Sequence, residues 1–210
     1  MTAWTRRPVT GNGSVERLKR ILIIQGHPDE AGGHFCHALM DAYADAARTA
    51  GHEVRETLVA ALHLPLVGSA AAWEAAEAPE AVRARQQDIA WAQHLVIAYP
   101  LWLGAMPAVL KGYLEQVMRP GFAVARRGEA SFSKLLKGRS ARIVVTMGMP
   151  ALVYRWYFGA HSLKSLERNI LRFCGIGPIR ESLVGMVEDG GPKRREAWLE
   201  RMRALGRKAA

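Results

Sequence analysis

Three runs of this chain are apolar almost without interruption, at residues 21–24, 94–99 and 141–147, and residues 179–184 add a more mixed final strand. Their length and β-branched content mark strands of a parallel sheet buried on both faces. After each run the apolar positions return at three- and four-residue spacing, the rhythm of a helix with one buried face. Phe35, Ala38, Leu39, Ala42 and Ala46 form such a face over residues 34–50, which Gly51 closes in the manner of a helix C-terminus. Val109, Leu110, Tyr113, Leu114, Val117 and Met118 form another, beginning near Met106 and Pro107, where a proline suits the first turn. Residues 79–92, 162–173 and 193–208 repeat the pattern, and the Ala-rich residues 69–77 read as a short helix. Residues 52–58 make a weaker strand whose Glu53, Arg55 and Glu56 place it nearer a sheet edge. Strands alternating with helices imply a doubly wound, three-layer α/β fold. The expected sheet has five parallel strands in the order 2-1-3-4-5, with helices on both faces.

Three loops then stand at the carboxyl ends of strands, where open α/β sheets bind their ligands. The first, Gln25 to Phe35, leads into a helix N-terminus, whose free N–H groups and dipole favour an anion. Gly32 and Gly33 allow close approach there, and His27 and His34 add donors. Its glycine spacing is not that of a dinucleotide fingerprint, and it lacks the Gly-Lys-Ser/Thr ending of a P-loop. The second loop, Pro100-Leu101-Trp102-Leu103-Gly104, is apolar where such loops are normally polar. It suits a flat aromatic ligand, or else Trp102 plugs the sheet edge. In the third, Thr146-Met147-Gly148-Met149, backbone N–H groups face outward to meet ring carbonyls and nitrogens. The segment after it gathers Tyr154, Trp156, Tyr157, Phe158 and His161, either as a hydrophobic cap or as proton donors beside an aromatic pocket. A nucleotide carrying a flat heteroaromatic ring satisfies all three loops, and flavin mononucleotide is the simplest one.

Composition narrows the field. At 210 residues, half of them hydrophobic and 23% charged, the chain reads as one domain over residues 19–210 behind a flexible leader at 1–18. The leader has no apolar core of a secretory signal, and no apolar run is long enough to span a membrane. Cys36 and Cys174 match no metal or redox spacing, so a cytoplasmic setting with reduced thiols and no metal is expected. The formal net charge of +10 is uneven: residues 1–118 carry a balance of −2 and residues 119–210 one of +12. Those basic residues alternate with apolar helix positions and lack an aromatic RNA-binding signature, so nucleic acid is not the expected partner. Residues 119–139, rich in Gly and basic residues, form a connection of the length that usually serves function.

Several motifs together resemble one family. They are ILIIQGHP with the later HFCHAL, YPLWLGAMPAVLKGYLEQV with PGFA after it, VTMGMP, GAH at 159–161 and LRFCGI at 171–176. Over about residues 20–185 the chain is similar to the flavodoxin-like NAD(P)H:quinone oxidoreductases, which include the mammalian DT-diaphorases and shorter bacterial relatives. That resemblance implies a bound flavin, two-electron transfer from NAD(P)H to a quinone-like acceptor by a ping-pong route, and a homodimer. FMN is expected over FAD because the chain is short and shows no adenosine-binding extension. By position, His27, His34, Phe35 and Cys36 would hold the flavin phosphate end. Pro100, Leu101, Trp102, Leu103 and Gly104 would flank the ring, and Thr146, Met147, Gly148 and Met149 would bond its polar edge. Tyr154 and His161 match the family's Tyr and His, which assist proton transfer. The chain departs from the pattern in a first loop two residues longer, in His34 for a small hydroxylic residue, and in Cys36 for a polar one. Its Tyr-to-His spacing of seven is one longer than in the mammalian enzymes, which leaves Trp156 and Tyr157 as alternatives for the Tyr role. Other readings are a flavin-binding ancillary protein of an ion-efflux system with little turnover, or an azo or nitro reductase.

Overall fold

The computed structural model describes residues 17–75, 77–126 and 133–210. Strands β1 (Arg20–Gln25), β2 (Glu53–Leu58), β3 (His94–Pro100), β4 (Ser140–Thr146) and β5 (Ile179–Val184) form one parallel sheet in the order β2-β1-β3-β4-β5. The expected leader lies, for residues 1–16, outside the described residues.

The unbroken apolar runs have a simple cause. Along β1, Leu22 and Ile24 face one core and Ile21 and Ile23 the other. In β3, Leu95, Ile97 and Tyr99 divide in the same way from Val96 and Ala98. A strand covered on both faces cannot alternate apolar with polar, because a polar position on either face would be buried. β2 pairs only with β1 and leaves Glu53, Arg55 and Glu56 in solvent, as its composition requires. Arg55 lies 4.2 Å over the Trp91 ring and 3.0 Å from Asp88, which fastens that edge to the helix beneath it.

Helices α1 (Phe35–Thr49) and α7 (Gly191–Arg207) cover one face through Leu39, Met40, Tyr43 and Met202. On the other face lie α3 (Glu80–Trp91), α4 (Ala108–Val117) and the segment after β4, with Val82, Ile89, Leu110, Tyr113 and Leu114 inside. A short α2 (Ala70–Glu74) is fastened to α4 by Trp73, whose indole N–H donates to the Glu115 carbonyl.

Two local features differ from the sequence reading. The aromatic segment begins with a helix, α5 (Ala151–Trp156), entered from Pro150. The helix expected over residues 162–173 starts as α6 (His161–Lys164) and continues as a π-helical stretch, Ser165–Arg172. Hydrogen bonds from i to i+5 bring Leu166 and Leu171 to the same buried side, which an α-helical turn would not do. Of the long connection, the described part is pinned by bridges of Val124 to Pro120 and to Lys134.

Candidate functional site

The first loop leaves β1 at Gln25 and enters α1 at His34, the N-cap residue, whose side chain makes no capping hydrogen bond. No acidic residue occupies the first turn of α1, and the Phe35 and Cys36 N–H groups have no backbone partner among the described residues. The positive end of a 15-residue helix is therefore open. His27 lies beside it, buried, with Nδ1 accepting the Asp29 N–H at 3.1 Å. Its ring stacks on His34 with centroids 4.0 Å apart, and His34 Nε2 meets Asp29 Oδ2 at 2.8 Å. Burial, followed by the charges of His34 and His37, holds the His27 imidazole at about 4, below its ordinary 6.5. The hydrogen bond from His34 draws the Asp29 carboxyl below its usual value. Cys36 is buried, its thiol pushed up to about 12, so it is packed and neutral rather than reactive.

In the second loop, Trp102 and Ala105 exchange two backbone hydrogen bonds of 2.9 Å. Leu103 and Gly104 between them both have positive φ, 48° and 74°, the pattern of a type I′ turn. The turn throws Leu103 fully into solvent and holds the half-exposed Trp102 ring 6.1 Å from His27, edge to face. A leucine in left-handed backbone is strained, and such strain collects at ligand-contacting turns.

The third loop is clamped from both sides. The Leu101 N–H donates to the Thr146 carbonyl, and the chain leaving β5 is zipped along 147–149 by Met147 to Val184, Met186 to Met149 and Val187 to Met147 bonds. Gly148 and Met149 N–H groups have no backbone partner among the described residues. No heavy atom comes within 4 Å of the place a Cβ on Gly148 would take.

The three loops share one cavity of about 490 Å³, lined by His27, Gly33, His34, Phe35 and Cys36, by Pro100, Leu101 and Trp102, and by Thr146, Met147 and Gly148. Leu103, Gly104, Met149, Tyr154 and His161 are not among its lining residues. Tyr154 is buried, its hydroxyl accepting the Leu163 N–H at 3.1 Å, which ties α5 to α6. Burial raises the Tyr154 phenol above its ordinary range, so it stays neutral. His161 is exposed at the start of α6, while Trp156 and Tyr157 are 79% and 82% exposed. Sequence reasoning missed Val187, Glu188 and Arg195, which close the fourth wall. Arg195 reaches there from α7, donating from Nε and Nη2 to the Val187 carbonyl, with its guanidinium 5.6 Å from the Phe35 ring centre. No local signal marks these residues; the zipper after β5 brings them in. A separate apolar cavity of about 450 Å³ between α2, α4 and the π-helical stretch touches none of the three loops.

A family described as having a flavodoxin-like fold matches residues 19–206. This chain belongs to the flavodoxin-like fold family. Within it, the chain is 31% identical over 123 residues to a Haemophilus influenzae protein named as an uncharacterized NAD(P)H oxidoreductase. That alignment covers 58% of this flavodoxin-like chain and 60% of the Haemophilus protein. Rat NAD(P)H dehydrogenase (quinone) 1 is 25% identical over 219 residues, covering 90% of this chain and 78% of its own. An NAD(P)H:quinone oxidoreductase from Methanothermobacter marburgensis superposes with a TM-score of 0.77 at 22% identity, over 91% of this chain and 96% of that one, a likeness of fold. The sheet order 2-1-3-4-5 is that of flavodoxin-like folds, which bind ligands at the β1/β3 switch point, between the first and second loops of this chain.

Proposed function

We propose that the chain binds FMN in this cavity, with FAD as the alternative, and carries two electrons from NAD(P)H to a quinone-like acceptor by a ping-pong route. One observation carries the reading. A single cavity of ligand-binding size, within roughly 300–1,000 Å³, joins an open helix N-terminus to an aromatic wall and to unpaired backbone donors. The residues present fit a flavin nucleotide: the orphaned N–H groups of Phe35 and Cys36 suit a phosphate, and the open space over Gly148 admits a ring edge. Bound there, the flavin would supply the hydride chemistry. The protein's share is placement and charge. Trp102 and Leu101 would give a bound ring an apolar wall. The Gly148 and Met149 N–H groups, held by the zipper to the chain after β5, would stabilise negative charge on its polar side without reorganising.

Proton handling is assigned to His161, which is exposed at the start of α6. Tyr154, expected beside His161 as a proton donor, is given the role of tying α5 to α6, since its hydroxyl already accepts a backbone N–H. The apolar surface of Leu152, Trp156, Tyr157 and Phe158 supports a homodimer in which a second copy covers it. Sedimentation velocity checks that: a monomer at micromolar concentration removes the dimer. No helix among the described residues is long and apolar enough to cross a membrane. Both cysteines are free thiols, which suits the proposed cytoplasmic setting.

The visible spectrum of the purified protein, followed by anaerobic NADPH and then a quinone, tests the reading. Yellow protein that bleaches and regains its colour supports it. Yellow protein that does not bleach points to the ancillary, non-turnover role. Protein that stays colourless after incubation with FMN or FAD overturns the assignment of the cavity.

A further inference from the structure

The first loop brings a third histidine to the site. His37, in the first turn of α1, is buried, and neither ring nitrogen has a hydrogen-bond partner among the described residues. Its ring centre is 4.8 Å from that of His27 and 5.7 Å from that of His34, both of which line the cavity. An imidazole carries at least one N–H, and burying it without an acceptor is unfavourable. His27 has spent Nδ1 as an acceptor for the Asp29 N–H, so its neutral form offers a donor only at Nε2. The helix N-terminus thus meets the His27 and His34 rings at one corner of the cavity, with the His37 ring packed against both, and His27 and His37 hold donors that the protein leaves unused.

Building on the flavin reading, we infer that His27, His34 and His37 together form a proton-accepting clamp for the phosphate monoester of the bound nucleotide, and that binding takes up a proton on the cluster.

The charges around the rings explain why. From the loop, His27 and His34 face His37 beside Asp29; from its own helix Asp41 does. Beyond Asp41 stand Glu56 of β2 and Asp45 and Arg48 of α1, with Arg203 and Arg207 of α7 along the same groove. Across the cavity are Glu188 and Arg195. Burial and the neighbouring His34 ring lower the proton affinity of His37, as burial and both other rings lower that of His27. Asp29 already sets one carboxylate against the rings. A dianionic phosphate would meet that carboxylate as a like charge, and a proton taken from solvent onto a ring nitrogen offsets the repulsion. The liganded protein then holds more protons than the free one, so affinity for the phosphate rises as pH falls. His34 can also exchange its Asp29 partner for a phosphate oxygen, since it is half-exposed at the cavity wall.

Titration calorimetry of the flavin-stripped full chain tests this. FMN and riboflavin, which share the ring but not the phosphate, would be compared from about pH 6.5 to 8, where the phosphate is mostly dianionic. Two buffers of different ionisation enthalpy count the protons taken up. FMN binding should take up a proton and weaken with rising pH, by about tenfold per unit for one full proton, while riboflavin binding stays flat. His37→Gln should at least halve the FMN slope while keeping riboflavin affinity. FMN binding that is flat with pH and takes up no proton overturns the clamp but leaves the flavin reading standing. The same slope for riboflavin, or an unchanged slope in His37→Gln, also overturns it. Failure of both ligands to bind at every pH removes the flavin reading and the clamp together.

Discussion

Gly148 separates a binding role from a folding role at a single residue. A side chain there meets no atom of the protein, so Gly148→Val should fold with an unchanged melting temperature. It should nevertheless lose at least about tenfold in flavin affinity, because the branched side chain fills the space given to the ring. Retained flavin content would remove the third loop from the site. Tyr154 and His161 divide along the same line. Tyr154→Phe leaves the Leu163 N–H without its acceptor and should cost about 1–3 kcal/mol in chemical denaturation, with the rate of flavin reduction kept. His161→Ala should slow that reduction and leave stability alone. The reverse pattern would exchange the two roles. His37, three residues beyond His34, was legible in the sequence only as one more position on a helix; its ring contacts depend on how the loop turns back over α1.

Among the elements, α1 and α7 pack so closely that a Cβ on Gly206 would stand 2.2 Å from the Tyr43 carbonyl oxygen. Backbone cannot move aside as a flexible side chain does, so Gly206→Ala should push α7 off α1 and cost about 1–3 kcal/mol. Because Arg195 reaches the cavity from α7, the same change should weaken flavin binding. A variant as stable as wild type would show that the two helices can slide apart freely. The helices bracketing β1, β3 and β4 were visible as apolar periodicity. α5 was not, because Leu152, Val153, Trp156 and Tyr157 leave no buried stripe to read. The π-helical stretch was also hidden, since Leu163, Leu166, Ile170 and Leu171 read as one side of an ordinary helix and the i to i+5 bonding leaves no mark in that pattern.

For the molecule as a whole, burial of histidines ties stability to pH. Burial holds His94 at about 3 and His27 at about 4, against 6.5 when exposed. Between those values the unfolded chain binds more protons than the folded one. Stability should therefore be full above pH 6.5 and fall as the pH drops toward 4. Asp29, whose carboxyl is lowered by its bond from His34, acts in the same direction further into acid. Denaturant midpoints at pH 7.5 and 5 check the sign, and an equal or higher midpoint at pH 5 contradicts it.

The sequence by itself determined the layers and the order of the sheet. Unbroken apolar runs of strand length and β-branched content, alternating with helical periodicity, read as strands covered on both faces, and each loop's position after such a run puts it at the ligand-binding edge. The loops at 25–35, 100–104 and 146–149 could therefore be placed at one edge before any contact was known. The tertiary structure alone decided what closes the cavity and which groups are spent. Val187, Glu188 and Arg195 arrive through backbone bonds between the chain after β5 and the 147–149 loop, over a separation that no local pattern encodes. Tyr154 turns inward because α6 offers it a backbone N–H, and His37 is left with unused nitrogens because the rings of His27 and His34 close over it. Periodicity reports which face of an element is buried; which polar atoms find partners depends on the elements packed against it.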